Sequence, residues 1–365
     1  MKLSPAVAKR YTKEQLSAVE AQRLAEYITW GPVIFEVARL LRKFRILEYL
    51  NESKDGLTVT ELVEKTACSE YAINVLVEGG LSAGILLVEP ESERYRLSKT
   101  GWLLLTEESK AVNLDFVHDV NYRGLYYLEE ALTEGRPAGL ATLGNWKTIY
   151  EGLSHLAPTV QQSWLAFDHY YSDNSFDKAL PIVFAGHPKH LLDIGGNTGK
   201  FALRCVEYDP EVRVTIADLP GQLSMMKEFV AGKVGAERIE GYAIDQLDTQ
   251  AKLPNKAWDV IWMSQFLDCF SPEEVTSILK RAAAAMTADS RLYILEAYWD
   301  RQQHETGAYC LTQISVYFTV MANGNSKMYY SQDMIDCVER AGLKVEAIYD
   351  HLGSGNSHTL FKIRR

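Results

Sequence analysis

The sequence predicts a two-part protein: a mainly helical winged-helix domain, then a doubly wound α/β domain whose parallel sheet carries an antiparallel edge. Three observations lead there. Residues 33 to about 105 place apolar side chains at helical spacing and close with two short alternating runs. Further along, short apolar runs alternate with helical stretches, the pattern of parallel strands joined by crossover helices. The last two runs, KVEAIYDH and HTLFKIRR, have no helix between them and should pair antiparallel.

The N-terminal part, residues 1–110, contains GPVIFEVARLLRKFRILEYL, where Val33, Val37, Leu40, Leu41, Phe44 and Leu47 form one stripe. A long apolar helix is expected over residues 17–50. In LTVTELVEKT, Thr58 with Glu61 three residues on makes a capping box, and Ser69 caps the next helix. The runs of ILLVEPESERYRLSKTG flank a polar turn and read as a β-hairpin, completing a winged helix. DNA reading would need basic and amide side chains on a helix. SEYAINVLVEGGL offers only Asn74, beside Glu70 and Glu78, and the chain's formal charge is −10. Nucleic acid is therefore not the expected partner. The expected role is dimerisation, since the long helix carries more apolar faces than one small domain can cover.

With 365 residues, 47% hydrophobic and 24% charged, the chain can bury two cores. Its apolar stretches, such as VIWM and LYILEA, fall short of the ~20 residues a membrane span needs, and a cytoplasmic protein is expected. Five cysteines without CxxC spacing or a Cys/His cluster argue against a disulfide framework and against a structural metal site. Residues 111–175 read as a helical connecting segment rich in aromatics (Trp146, Tyr150, Trp164, Phe167, Tyr170, Tyr171) that would help shape an acceptor pocket.

Residues 176–365 hold the α/β domain. Its strands are expected at HLLDIGG, VRVTIADL, RIEGYAID, WDVIWMSQ and RLYILEA, with helices at GKFALRCVEY and EEVTSILKRAAAAM. The first strand runs into LLDIGGNTGKFALRC, where Asp193 is followed by Gly195, Gly196 and Gly199. A dinucleotide fingerprint fails, because Asn197 and Lys200 stand where glycines would be needed. An acid at the loop mouth suits a cationic amine and repels a pyrophosphate. Asp218, ending the second strand, can accept two ribose hydroxyls, and Asp245 can accept from an exocyclic amine. A nucleoside with an amino-acid tail and no phosphates is S-adenosylmethionine.

Together with the winged helix, the segments LLDIGGNTG, IADLPG, FDHYYSDNS and ILE resemble the S-adenosylmethionine-dependent O-methyltransferases of plant phenolic and bacterial polyketide metabolism, from roughly residue 30 to the C-terminus. The resemblance implies a Rossmann-like class I methyltransferase fold, a homodimer built through the N-terminal domain, and a small aromatic acceptor. By resemblance, Asp193, Gly195, Gly196 and Gly199 form the cofactor loop; Asp218 and Leu219 serve the ribose; Asp245 and Gln246 serve the adenine. Ser264, Ser172 and Phe270 would flank the cofactor, while His169, Tyr171, Met321 and Asn323 would meet the acceptor. The family loop reads LHDW, its histidine acting as general base; here those places hold Leu267, Asp268, Cys269 and Phe270. A second family acid falls on Met328, and Glu296 matches the acid that orients the base. Asp268 and Glu296 are thus the candidate catalytic pair. Moving a proton from a phenol near pKa 10 to an ordinary aspartate near 3.9 is uphill by about 6 units, roughly 8 kcal/mol. Burial beside Phe266, Leu267 and Phe270, or the charge of Glu296, would narrow that gap. Two alternatives stand beside methyl transfer: a relative that binds the cofactor for hydroxylation or decarboxylation, and a winged-helix regulator.

Overall fold

The computed structural model describes residues 2–353 and 355–365, which form two compact units, one spanning Glu14–His118 and the other the residues up to Lys13 together with Asp119–Arg365. Each is described by itself.

In the smaller unit, the long helix expected over 17–50 is three helices, Ala18–Thr29, Gly31–Lys43 and Ile46–Glu52. Pro32 lies in the first turn of the second, where its missing N–H costs nothing. The second break is at Arg45, in the left-handed region at φ 61°. That turn re-aims the chain: Leu41, Ile46, Leu47 and Leu50 enter the core with Leu62, Ile73, Val77 and Leu86, while Val33 and Phe44 stay exposed. The single stripe was therefore half right. Thr58 and Glu61 make the expected capping box, and Ser69 caps Glu70–Ser82. Strands β1 (Leu86–Glu89) and β2 (Arg94–Leu97) pair antiparallel as the wing. Arg94 of the wing grips Glu61 with two N–H···O bonds of 2.8 and 3.0 Å, tying hairpin to helix cap.

The larger unit is built on a seven-stranded sheet of β3 (His190–Ile194), β4 (Arg213–Asp218), β5 (Ile239–Ala243), β6 (Trp258–Ser264), β7 (Met286–Glu296), β8 (Lys344–Leu352) and β9 (His358–Arg364). The spatial order is β5-β4-β3-β6-β7-β9-β8, with β3 to β7 parallel and β9 antiparallel to both neighbours. The central strands are continuously apolar because both faces are covered. Leu192, Ile194, Ile261, Met263, Leu292 and Ile294 pack under helices Pro272–Ala285 and Ser331–Arg340. Their alternates Leu191, Val214, Ile216, Val260, Trp262 and Leu295 pack under Phe176–Val183, Lys200–Tyr208 and Pro220–Val230. Trp262 stacks on Phe201, ring centroids 4.0 Å apart.

The unit boundary lies at residues 118 and 119, and the segment from Asp119 belongs with the sheet. The first residues belong there too: the Ser4 amide donates to the Asp300 carbonyl at 2.8 Å, and the Ser4 hydroxyl to that of Gln302. Strand order reverses between β3 and β6, and ligand crevices of such sheets open at the strand ends beside that point.

Candidate active site

Asp193 comes off β3 almost fully buried, with Oδ2 lacking any partner. Burial, and then the Asp218 charge, push it up to about 8. Gly195 follows at φ +78°, where an added Cβ would stand 2.1 Å from the Phe266 ring; at Gly196 it would stand 2.7 Å from Asp193 Oδ2. Only glycine lets ring and carboxylate close on the loop. Gly199, at φ +81°, opens helix Lys200–Tyr208. Asp218 holds the loop from the next strand. Its Oδ2 accepts the Asn197 amide at 2.9 Å and its Oδ1 that of Leu219 at 2.7 Å, yet burial outweighs both and raises it to about 6.

Beyond β5 the chain divides its two adenine-side candidates. Asp245 is exposed and accepts the Leu247 amide at 2.8 Å, capping a turn. Gln246 is buried, and Arg281 donates to both its backbone carbonyl (2.6 Å) and its Oε1 (2.8 Å). That fixes the amide with Nε2 buried and unpartnered. After β6, Ser264 Oγ and Gln265 Oε1 are likewise buried without partners, as is Asn197 Oδ1. Each such atom costs on the order of 1–3 kcal/mol unless something completes it. Donors and acceptors gathered at the ends of β3, β5 and β6, with a buried carboxyl group whose Oδ2 has no partner, fit a ligand carrying an ammonium group and polar nucleoside edges.

On the other side of the loop, Asp268 sits in the tight turn Leu267–Cys269 and is 5% exposed. It is no solvated loop acid, and Ser271 with Glu274 supplies the capping box of the helix that follows. Burial first, and then Asp168, raise Asp268, while the Cys269 thiol at 3.4 Å partly offsets them. Glu296 is buried at the end of β7 and held well above the usual carboxylate range by burial and by Asp268. Its expected role changes in kind. Oε1 accepts the amides of Phe266 (3.0 Å) and Leu267 (2.9 Å), so Glu296 sets the loop backbone and does not grip the Asp268 side chain. Its Oε2 has no partner.

Asn323, expected to meet the acceptor, is spent on the same loop: its amide donates to the Cys269 carbonyl and its oxygen accepts from Ser326 at 3.0 Å. Met321 is fully buried against Gly124, and Met328 is buried where the family has its second acid. His169 lies 3.4 Å from Thr198 Oγ1, 3.5 Å from Asp173 and 3.9 Å from Asp168, on the cofactor-loop side. Ser172 donates to Asp173, which Lys200 holds at 2.7 Å. Tyr171 packs on Phe167 and Tyr170, and Phe270 on Phe266 at 4.8 Å. The residues that sequence reading passed over are Asp168, Tyr317 and Asn197. Asp168 stands one helical turn from Trp164, and that spacing in SWLAFDHYY was the available signal.

Two family profiles match the chain: a Dimerisation2-like domain over residues 22–95 and an O-methyltransferase domain over residues 175–344. An L-tyrosine C(3)-methyltransferase of Streptomyces lavendulae is 22% identical over 324 residues, covering 88% of this chain and 86% of that one. The structure of the mitomycin 7-O-methyltransferase MmcR superposes with a TM-score of 0.73 at 20% identity, covering 95% of this chain and 98% of that one. Human N-acetylserotonin methyltransferase in complex with S-adenosylmethionine gives 0.68 at 17% identity, covering 97% and 99%. Residues 175–344 thus carry an O-methyltransferase domain and residues 22–95 a Dimerisation2-like domain, and the fold is that of the class I methyltransferases. The protein is a methyltransferase, and its cofactor is S-adenosylmethionine.

Proposed function

We propose that the protein methylates an oxygen of a small aromatic acceptor, as a cytoplasmic homodimer joined through residues 1–110. The observation that carries the reading is the buried Asp268 beside the glycine loop, on a turn whose amides Glu296 fixes. When bound, the cofactor supplies an electrophilic methyl group. The chain's own part is to hold the acceptor oxygen in line and to take its proton. With Asp268 raised to about 7, the transfer from a phenol near pKa 10 is uphill by about 3 units, roughly 4 kcal/mol, half the gap for an ordinary aspartate. Asp268 is a serviceable base only if proton loss accompanies methyl transfer, and positioning supplies the rest. Asp193 would meet the cofactor's ammonium, Asp218 and Leu219 its ribose, and Gln246, Ser264 and Phe270 its adenine side. Glycines 195, 196 and 199 and Ser172 complete the cradle, and Tyr171 and Met321 belong to the acceptor wall. Exposed Val19, Ile28, Trp30 and Val33, in and between helices Ala18–Thr29 and Gly31–Lys43, supply an apolar dimer surface.

A carbon beside a phenol oxygen is the second acceptor atom to consider. What favours it is Asp268 in place of histidine, together with the activity named for the Streptomyces relative. Calorimetric titration with S-adenosylmethionine and S-adenosylhomocysteine, repeated with Asp218→Ala, tests the cofactor site: both should bind, and the variant should lose both. A phenolic screen read by mass and proton NMR then separates O-methyl from C-methyl products. Failure of both ligands to bind the parent protein would end the proposal.

A further inference from the structure

The turn between β3 and helix Lys200–Tyr208 holds one residue in a conformation that its own backbone does not favour. Asn197 stands at φ +46°, in the left-handed region that glycine adopts freely and a residue with a Cβ adopts at a cost. Two carboxylates keep it there. Its backbone amide donates to Asp218 Oδ2 at 2.9 Å, and its side-chain Nδ2 donates to Asp168 Oδ2 at 3.2 Å. The next residues of the turn are held from the same side as Asp168. Thr198 Oγ1 lies 3.4 Å from His169 Nε2, and Lys200 Nζ donates to Asp173 Oδ2 at 2.7 Å. His169 links the row, with Nδ1 3.5 Å from Asp173 and 3.9 Å from Asp168. Asp168, His169 and Asp173 thus form a polar clip on the last turns and C-cap of helix Pro158–Ser172.

The clip decides which end of the Asn197 amide is left for a ligand. A carboxylate accepts and does not donate, so Asp168 takes the NH2 end and leaves Oδ1 on the other branch of the amide. Asn197 Oδ1 is buried and has no hydrogen-bond partner. Asp193 Oδ2 is in the same state, and it lies so close to Gly196 that an added Cβ there would stand 2.7 Å from it. Gly196 and Asn197 are consecutive, so two buried acceptors without donors serve one short stretch of the loop. An ammonium group carries three N–H donors and can satisfy both, whereas a hydroxyl has one to give. The ribose hydroxyls have their own acceptor in Asp218.

We infer that Asn197 is a cofactor-binding residue, its side-chain oxygen accepting from the ammonium of the S-adenosylmethionine tail, and that Asp168 is the positioning residue that aims it. The inference rests on the cofactor assignment of this loop and adds to it a side chain through which the tail is recognised. A cofactor analogue without the α-amino group would leave both oxygens buried and unpaired, and is discriminated against for that reason.

Calorimetric titration of the full-length protein with S-adenosylhomocysteine, and with its analogue lacking the α-amino group, tests this. The parent should bind S-adenosylhomocysteine at least about tenfold tighter, as hydrogen bonds to a charged group give. Asn197→Gly keeps the backbone angle and removes the oxygen. That variant should bind S-adenosylhomocysteine at least about tenfold more weakly than the parent, with the deaminated analogue changed by less than about twofold. Asp168→Ala releases the amide and should show the same selective loss; Asp168→Asn, whose oxygen can still accept from Asn197, should keep the parent's preference. Equal losses for the two ligands in Asn197→Gly would mean that the side chain only shapes the loop, and would overturn the inference. So would an unchanged S-adenosylhomocysteine affinity in that variant, or a parent that does not distinguish the two ligands. An Asp168→Asn variant no better than Asp168→Ala would remove the aiming role from Asp168. Failure of the parent to bind S-adenosylhomocysteine at all would instead bring down the cofactor assignment of the loop.

Discussion

Asp268 shows how one substitution changes what a loop can do. In the family's position for a histidine stands a carboxyl group that burial has moved toward neutrality, so it can exchange a proton near physiological pH. Asp268→Asn should lower kcat/KM by about 10²–10³-fold and flatten the rising limb of its pH profile, placed at about pH 7 in the parent enzyme. A variant that keeps both rate and limb would show that positioning alone suffices. Gly195→Ala is the sharper test of the loop. Its Cβ would fall 2.1 Å from the Phe266 ring, at a backbone angle that alanine resists. S-adenosylhomocysteine affinity should drop by at least about tenfold, and an unchanged dissociation constant by calorimetry would contradict the geometry.

At the scale of elements, the signals that lie within one turn of chain were legible and those that depend on a bend were not. The capping box at Thr58, the wing hairpin and all seven strands of the large sheet stand where spacing and composition put them. The helix expected over residues 17–50 breaks at Trp30 and Arg45, because a stripe records which residues are apolar and not whether the axis continues. The break separates residues that one stripe had joined. Leu41→Ala should cost about 2–5 kcal/mol in urea unfolding, whereas Val33→Ala should leave subunit stability within about 0.5 kcal/mol and weaken self-association instead. Similar unfolding penalties at both positions would mean that Val33 lies in the subunit core after all.

For the whole molecule, the cofactor side and the acceptor side carry one electrostatic signature. Asp193, Asp218, Asp268 and Glu296 are all raised, so the folded protein binds protons that the unfolded chain would release. Groups raised in this way stabilise fully below their unfolded pKa, and that stability is lost as pH rises through the folded value. His358, lowered to about 4 by burial, opposes them only below its ordinary 6.5. Between about pH 6.5 and 8 the ligand-free protein should therefore lose stability, by up to about 1.4 kcal/mol per pH unit for each group still titrating. S-adenosylhomocysteine, which brings an ammonium to Asp193, should raise Tm more at pH 8 than at pH 6.5. A ligand-free Tm that is flat or rising across that window by scanning calorimetry would refute the buried charge pattern.

By itself the sequence determined the doubly wound sheet, the winged helix, the glycine loop and the acid after each of the first two strands. These are written in local periods, caps and strand ends, where neighbours in sequence are neighbours in space. Only the tertiary structure decided what the side chains do once assembled. It assigned Glu296 to backbone amides, Asn323 to the Cys269 carbonyl and His169 to Thr198 and Asp173. It also brought Asp168, which stands 3.9 Å from His169 Nδ1, within electrostatic reach of Asp268 across a hundred residues of chain. Burial and charge at a site are sums over segments that meet only on folding, so spacing along the chain cannot contain them.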